Sequence, residues 1–184
     1  KDGWVVNFAD ATAKLSYSPA LLYNYGKAVG SQEMQDFAIY NLAKKTEGRF
    51  AAPKPVIGND VFRSLESMKP LAEMSARVDD LNAKIASGQQ FESLLASLRT
   101  SVPGYTWYPE TQFCYIKNES DWFFAAKGGH NNESHNHNDV GQFILYRNGK
   151  PVIIDAGVGE YTKQTFSPDR YKISVFVLVF RVSV

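Results

Sequence analysis

The stretch GQFILYRNGKPVIIDAG, residues 141–157, decides the fold. Two short apolar runs, rich in β-branched and aromatic residues, flank Asn148-Gly149. That dipeptide is the favoured centre of a two-residue type I′ hairpin turn. A two-residue loop pairs residues whose numbers sum to 297, which sets Asp155 opposite Gln142. Upstream, QFCYIK (112–117) and DWFFAAK (121–127) have the same character and are punctuated by glycine and asparagine. From SVPGYTWYPET (101–111) onward, the chain therefore reads as antiparallel β structure.

Before that point the period is helical. SPALLYNYGKAVG (18–30) places Ser18 as cap and Pro19 at the first helical position, with Leu21, Leu22, Tyr25 and Val29 as its apolar face. Gly30 closes it. SQEMQDFAIYNLAKKT (31–46) repeats the pattern with Ser31 as cap. Its apolar side is Met34, Phe37, Ala38, Tyr40 and Leu42, and Lys44 and Lys45 sit near its negative C-terminal end. The proline-bearing AAPKPVIGND (51–60) is a connection. Residues 60–70, 70–86 and 90–100 read as further helices with apolar residues every third or fourth position, among them Phe62, Leu65, Met74, Val78, Leu95 and Leu98. Helices followed by antiparallel strands, joined by a linker near 101–106, make an α+β class with the two parts segregated.

The 184 residues carry 20 basic and 19 acidic side chains, a net charge of +1, so no global field draws in nucleic acid. The single cysteine, Cys114, excludes an internal disulfide and a cysteine-built zinc cluster, and its alternating surroundings predict a buried, inert thiol. No apolar run is long enough to span a membrane. The N-terminal KDGWVVNFADA has no long apolar core of the signal-peptide kind.

All three histidines fall in GGHNNESHNHNDVG, residues 128–141. In HNHND, His135, His137 and Asp139 alternate, so an extended backbone points them to one side. An H-x-H pair on a strand is a recurrent two-ligand zinc geometry, and the other hairpin arm offers Asp155 as a third ligand. In the sum-297 register His137 lies five residues beyond the position facing Asp155, about 17 Å when extended. A shared metal thus requires the loop to curl back over the hairpin, a bend that Gly141 permits. His130 has no assigned role.

Residues 125–171, AAKGGHNNESHNHNDVGQFILYRNGKPVIIDAGVGEYTKQTFSPDRY, resemble the heparinase II/III family of bacterial polysaccharide lyases, and DGWVVNFADA (2–11) is similar to a segment near the end of that family's helical toroid. The resemblance implies the C-terminal helices of an α/α toroid over residues 1–103, then the start of an antiparallel β-sandwich over 104–184. It also implies β-elimination on a uronic-acid polysaccharide, in a periplasmic or secreted setting, with a structural zinc ion. Carried over by position, His135 matches the catalytic histidine, and His137 and Asp155 match two zinc ligands. Asn131, Asn132 and Glu133 share the motif as substrate contacts or loop-orienting groups. Tyr161 and Tyr171 are candidates for a phenolic acid or base. Lys127 and Arg170, with Lys150, Lys163 and Lys172, are candidate cations for an anionic polysaccharide. Nothing matches the family's catalytic-tyrosine motif, expected upstream of Lys1, or its third zinc ligand, expected beyond Lys172. There the tail ISVFVLVFRVSV (173–184) departs from the family. The expectation is a fragment that is inactive alone and holds zinc weakly.

Two rival readings compete. A double-stranded β-helix oxygenase or isomerase also uses H-x-H, but wants a glutamate where Val140, Gly141 and Gln142 stand. A non-catalytic carbohydrate-binding module would use Trp107, Tyr108, Trp122 and Phe123 as a stacking face.

Overall fold

In the computed structural model, which describes residues 3–15, 17–99, 103–130 and 140–155, the turn at Asn148-Gly149 forms with both residues at positive φ, 52° and 73°. It joins β6 (Phe143–Arg147) to β7 (Lys150–Ile153). Three further strands, β3 (Tyr105–Tyr108), β4 (Phe113–Lys117) and β5 (Trp122–Lys127), complete an antiparallel meander in the order β3-β4-β5-β6-β7. β3 thus begins inside the stretch read from sequence as a linker.

The hairpin register departs from the simple sum. Arg147 faces Lys150 and Tyr146 faces Pro151, but Leu145 faces Ile153, with a bulge between Leu145 and Tyr146. Beyond the bulge the paired numbers sum to 298. Continued to Asp155, that register selects Phe143 instead of Gln142. One extra residue in a strand re-aims every side chain after it, and Pro151, which lacks an N–H, stands beside the irregularity.

Strand alternation sorts the sheet into two faces. Phe113, Tyr115, Phe123, Ala125, Ile144 and Tyr146 share one, and residues 3–15 cover it through Trp4, Val6 and Phe8. This arm doubles back on itself: Val5 N–H donates to Ala13 O at 3.1 Å and Leu15 N–H to Gly3 O at 2.9 Å. The sequence reading attached residues 1–17 to the helical segment. Residues 3–15 instead belong to the same unit as the sheet, because their apolar side chains are what closes its core.

Residues 17–99 form the other unit. Ser18 Oγ accepts from Leu21 N–H and Ser31 Oγ from Met34 N–H, capping α1 (Pro19–Ala28) and α2 (Gln32–Tyr40). α2 stops before the expected lysines. Asn41 Nδ2 donates to Phe37 O at 2.6 Å at its end, and the chain turns into a small hairpin, β1 (Ala43–Lys44) and β2 (Arg49–Phe50). Asn82 grips β2 through both main-chain groups of Phe50. α3 (Val61–Met68), α4 (Leu71–Ala86) and α5 (Phe91–Ser97) follow, with Met74, Val78, Leu81, Leu95 and Leu98 buried as expected.

Two helical faces differ from expectation. In α1 the buried residues are Ala20, Tyr23 and Gly26, while Tyr25 and Val29 are exposed. A Cβ at Gly26 would lie 2.9 Å from Met34 Cβ and 3.1 Å from Gln35 N. The close α1–α2 approach therefore selects the glycine side over the larger apolar one. In α3, Phe62 is 83% exposed and Leu65 is also exposed.

Candidate functional site

The connection from β5 to β6 carries the histidines, and the two ends of that loop are fixed by main-chain bonds. Lys127 N–H donates to Gln142 O at 3.0 Å, and Gly141 N–H donates to Lys127 O at 2.8 Å. Gly141 and Gln142 together oppose Lys127, with Gly141 at φ 86°. That is a bulge whose first residue is a left-handed glycine.

On the other side, the loop is tied to the β3–β4 turn. Gly128 N–H donates to Gln112 O at 2.8 Å, and Gly129 N–H donates to Gln112 Oε1 at 2.9 Å. Gln112 holds φ 53°, a conformation unusual for a residue with a side chain. A Cβ at Gly128 would lie 2.9 Å from Gln112 Oε1 and 3.2 Å from Gln112 O. Gly128 therefore answers to close packing and Gly129, at φ 76°, to backbone conformation. Sequence reasoning missed Gln112, and nothing in the local turn chemistry of PETQF (109–113) marks it. Its role appears only when β4 and β5 are paired.

Of the candidate residues, Asn131, Asn132, Glu133, His135, His137, Tyr161, Arg170 and Tyr171 lie outside the described residues. His130 is exposed. Lys127 is only 4% exposed. Alternation on β5 places it on the side of Phe123 and Ala125, so it is a cation held at the base of the loop, not one presented on the surface.

Asp155 is 8% exposed and lies just past the last ladder pair of β7. Its main-chain oxygen accepts a hydrogen bond from Asn7 Nδ2 at 3.2 Å. Asn7 is fully buried in the arm, and its Oδ1 has no partner among the described residues. A polar residue interrupting the apolar run WVVNF (4–8) is the one signal for Asn7 in the sequence. The arm is fixed on either side of Asn7. Tyr146 Oη donates to Val5 O at 2.8 Å, and the Phe8 ring stacks on Phe113 with centroids 5.5 Å apart. Burial pushes the Tyr146 phenol up to about 12, so it stays protonated at neutral pH and serves the arm as a donor.

Among the described residues there is no group of three histidine, cysteine, aspartate or glutamate side chains. Asp155 supplies one carboxylate, an oxygen ligand of the kind zinc takes, which by itself does not make a site.

The four aromatics proposed as a stacking face do not share one. Trp107 pairs with Cys114 and stands on the face of Trp122, whereas Tyr108 pairs with Phe113 and stands with Phe123 on the opposite face. Trp122 is engaged by the Arg147 guanidinium, 5.1 Å from its ring centroid. Cys114 is partly buried on the same face as Trp107.

Compared with known families, residues 100–172 match the model described as Heparinase II/III-like, C-terminal. No curated protein matches the chain.

Proposed function

We propose that this chain, whose residues 100–172 belong to the heparinase II/III-like family of polysaccharide lyases, works in the β-elimination of a uronic-acid-containing, glycosaminoglycan-like polysaccharide of the heparin or heparan sulfate type. The observation supporting this is the coincidence of the family match with a histidine loop whose ends are bonded to two neighbouring strands and a turn. Loops held this way on a rigid sheet suit catalytic residues.

The reaction removes the weakly acidic C5 proton of a uronate and expels the O4 substituent. It requires neutralisation of the neighbouring carboxylate, a base at C5 and an acid at O4. In this reading His135 exchanges the proton, with Tyr161 or Tyr171 as its phenolic counterpart. Asn131, Asn132, Glu133 and Arg170 contact the polysaccharide. Lys127 adds positive charge from beneath the loop. His137 and Asp155 would hold a zinc ion, which when bound would supply structural support to the loop. The helices are read as the end of an α/α toroid, the sheet as the start of a β-sandwich, and the setting as periplasmic or secreted.

The test is ultraviolet absorbance of unsaturated uronate during incubation with heparin, heparan sulfate or alginate, using the full reading frame that carries residues 1–184. Product is expected from the parent protein and none from His135→Ala. Turnover surviving in His135→Ala would remove that residue from catalysis. No product from any uronic-acid polysaccharide would overturn the lyase reading.

A further inference from the structure

The two edges of the described sheet are built differently. β7 carries Lys150 and Pro151 and lies against the bulge at Leu145 and Tyr146. Charge, proline and bulges are the devices that keep an edge strand from pairing with another chain. β3 has none of them within its length. Its sequence is YTWY, none of the four residues is buried, and among the described residues no strand lies beyond it. Tyr105, Trp107 and Tyr108 are all exposed.

The ladder with β4 identifies the main-chain groups that β3 leaves outward. Lys117 N–H donates to Gly104 O at 2.9 Å, so Gly104 and Lys117 form a hydrogen-bonded pair. Such pairs alternate with non-bonded ones along an antiparallel ladder. Thr106 with Tyr115 and Tyr108 with Phe113 therefore bond inward, while Tyr105 and Trp107 turn their N–H and C=O groups away from β4. The next outward positions are Pro103 and Pro109, which have no N–H to give. The open edge is thus limited to Tyr105 and Trp107.

We propose that β3 pairs antiparallel with β3 of a second copy of this chain, around a two-fold axis at Thr106. That register sets Tyr105 of each copy opposite Trp107 of the other. Both pairs are then hydrogen-bonded ones, and four main-chain bonds form. Moving the axis to Tyr105 or to Trp107 would bring a proline into a bonding place. Tyr105 and Trp107 share a face of the sheet, so the four rings lie along one surface, bordered by Ile116, itself exposed. Charge agrees with the pairing. The Glu110 end of one strand comes alongside the Lys117 end of the other. Both side chains are exposed, and neither has an ion pair among the described residues.

The experiment is sedimentation velocity of the full chain, at protein concentrations from about 10 µM to 1 mM. A dimer with a dissociation constant on the order of 0.1 mM is expected, because one short strand buries less than a standard interface. Tyr105→Pro removes an outward N–H from each copy and leaves the β4 ladder whole, so association should weaken about tenfold. Trp107→Lys, which puts a charge on the edge, should weaken it as much, and it gives the same reading if Tyr105→Pro fails to fold. Glu110→Lys should weaken it about two- to fivefold, and adding Lys117→Glu to that chain should restore it. A cross-link fixes the register. In a Cys114→Ser background, Thr106→Cys should join two copies on mild oxidation, since opposed non-bonded residues stand about 4.5 Å apart at Cα. Tyr108→Cys, which lies away from the axis, should not.

A chain that stays monomeric across this range overturns the proposal. So does association that Tyr105→Pro and Trp107→Lys leave unchanged, which would place the contact on another surface. Cross-linking of Thr106→Cys no faster than that of Tyr108→Cys overturns it as well.

Discussion

Strand β6 ends in two contrasting connections. At Arg147 it meets a turn whose shape comes from its own residues: Asn148 and Gly149 take the left-handed φ values the turn demands, and one main-chain bond, from Asn148 N–H to Asp121 O at 3.0 Å, ties it to the β4–β5 connection. At Phe143 it meets the histidine loop, whose base is closed with a borrowed part. Its own ends pair through Lys127 with Gly141 and Gln142, and Gln112 is borrowed from the β3–β4 turn. A turn shaped by its own φ values tolerates change elsewhere in the fold. A borrowed closure transmits that change to whatever the loop carries. The contrast teaches that the candidate site depends on residues distant from it in sequence.

The sharpest way to break the contrast is Gly128→Val. The added atoms meet Gln112 side chain and backbone, and the carbonyl cannot retreat without breaking its bond to the Gly128 N–H. A loss of about 3 kcal/mol is expected, at the upper end for overpacking, read by urea unfolding. Stability within about 0.5 kcal/mol of the parent would show that the loop base is looser than its bonds imply. Gly141→Ala comes next. The φ of 86° costs alanine about 1–2 kcal/mol, with open space around the new Cβ. Gly149→Ala, at φ 73°, should cost a similar amount and serves as its partner. The two should differ in amide exchange. Gly141→Ala is expected to speed exchange at Gly128 and Gly129, and Gly149→Ala to leave it unchanged. Equal effects would erase the distinction between the connections.

The same division explains what could be read in advance. Asn148-Gly149, the Ser18 and Ser31 caps and the core spacing of α4 are local chemistry, so the sequence states them directly. The exposed side of α1 was misjudged because Leu21, Leu22, Tyr23 and Tyr25 cover more than one face. Only the approach of α2 at Gly26 chooses between them. The bulge beside Pro151 moved the register at Asp155 by one, a tertiary adjustment that loop length cannot reveal. Asp155 itself was legible as a carboxylate closing an apolar run. Gln112 was not, and Asn7 left only the trace of a polar residue inside an apolar run, because each acts through a main-chain group that becomes its neighbour only after the sheet has formed.

A smaller effect is expected from Gln112→Ala, which removes one acceptor at Gly129 while keeping the main-chain bond to Gly128. About 1 kcal/mol should be lost, and Gln112→Glu, which keeps an acceptor oxygen, should restore most of it. If Gln112→Ala matches the parent in stability and in Gly129 exchange, the side-chain half of the clamp is idle.

Tyr146 holds its proton at neutral pH, and its titration at high pH separates the arm from both connections. Its folded pKa is raised by burial to about 12 from an ordinary 10.0. A group raised in this way adds stability that is complete below pH 10 and is lost as pH climbs through 12. Ionisation removes the proton given to Val5 O and places a charge under Trp4, Val6 and Phe8, so the arm should loosen first. Burial also raises the Tyr115 phenol, which acts in the same direction. Stability followed across this window should fall more steeply in the parent than in Tyr146→Phe, with Trp4 emission reporting release of the arm. Identical slopes would mean that the arm is held by apolar contact alone. Its bond from Tyr146 could then no longer be counted among the supports of Asn7.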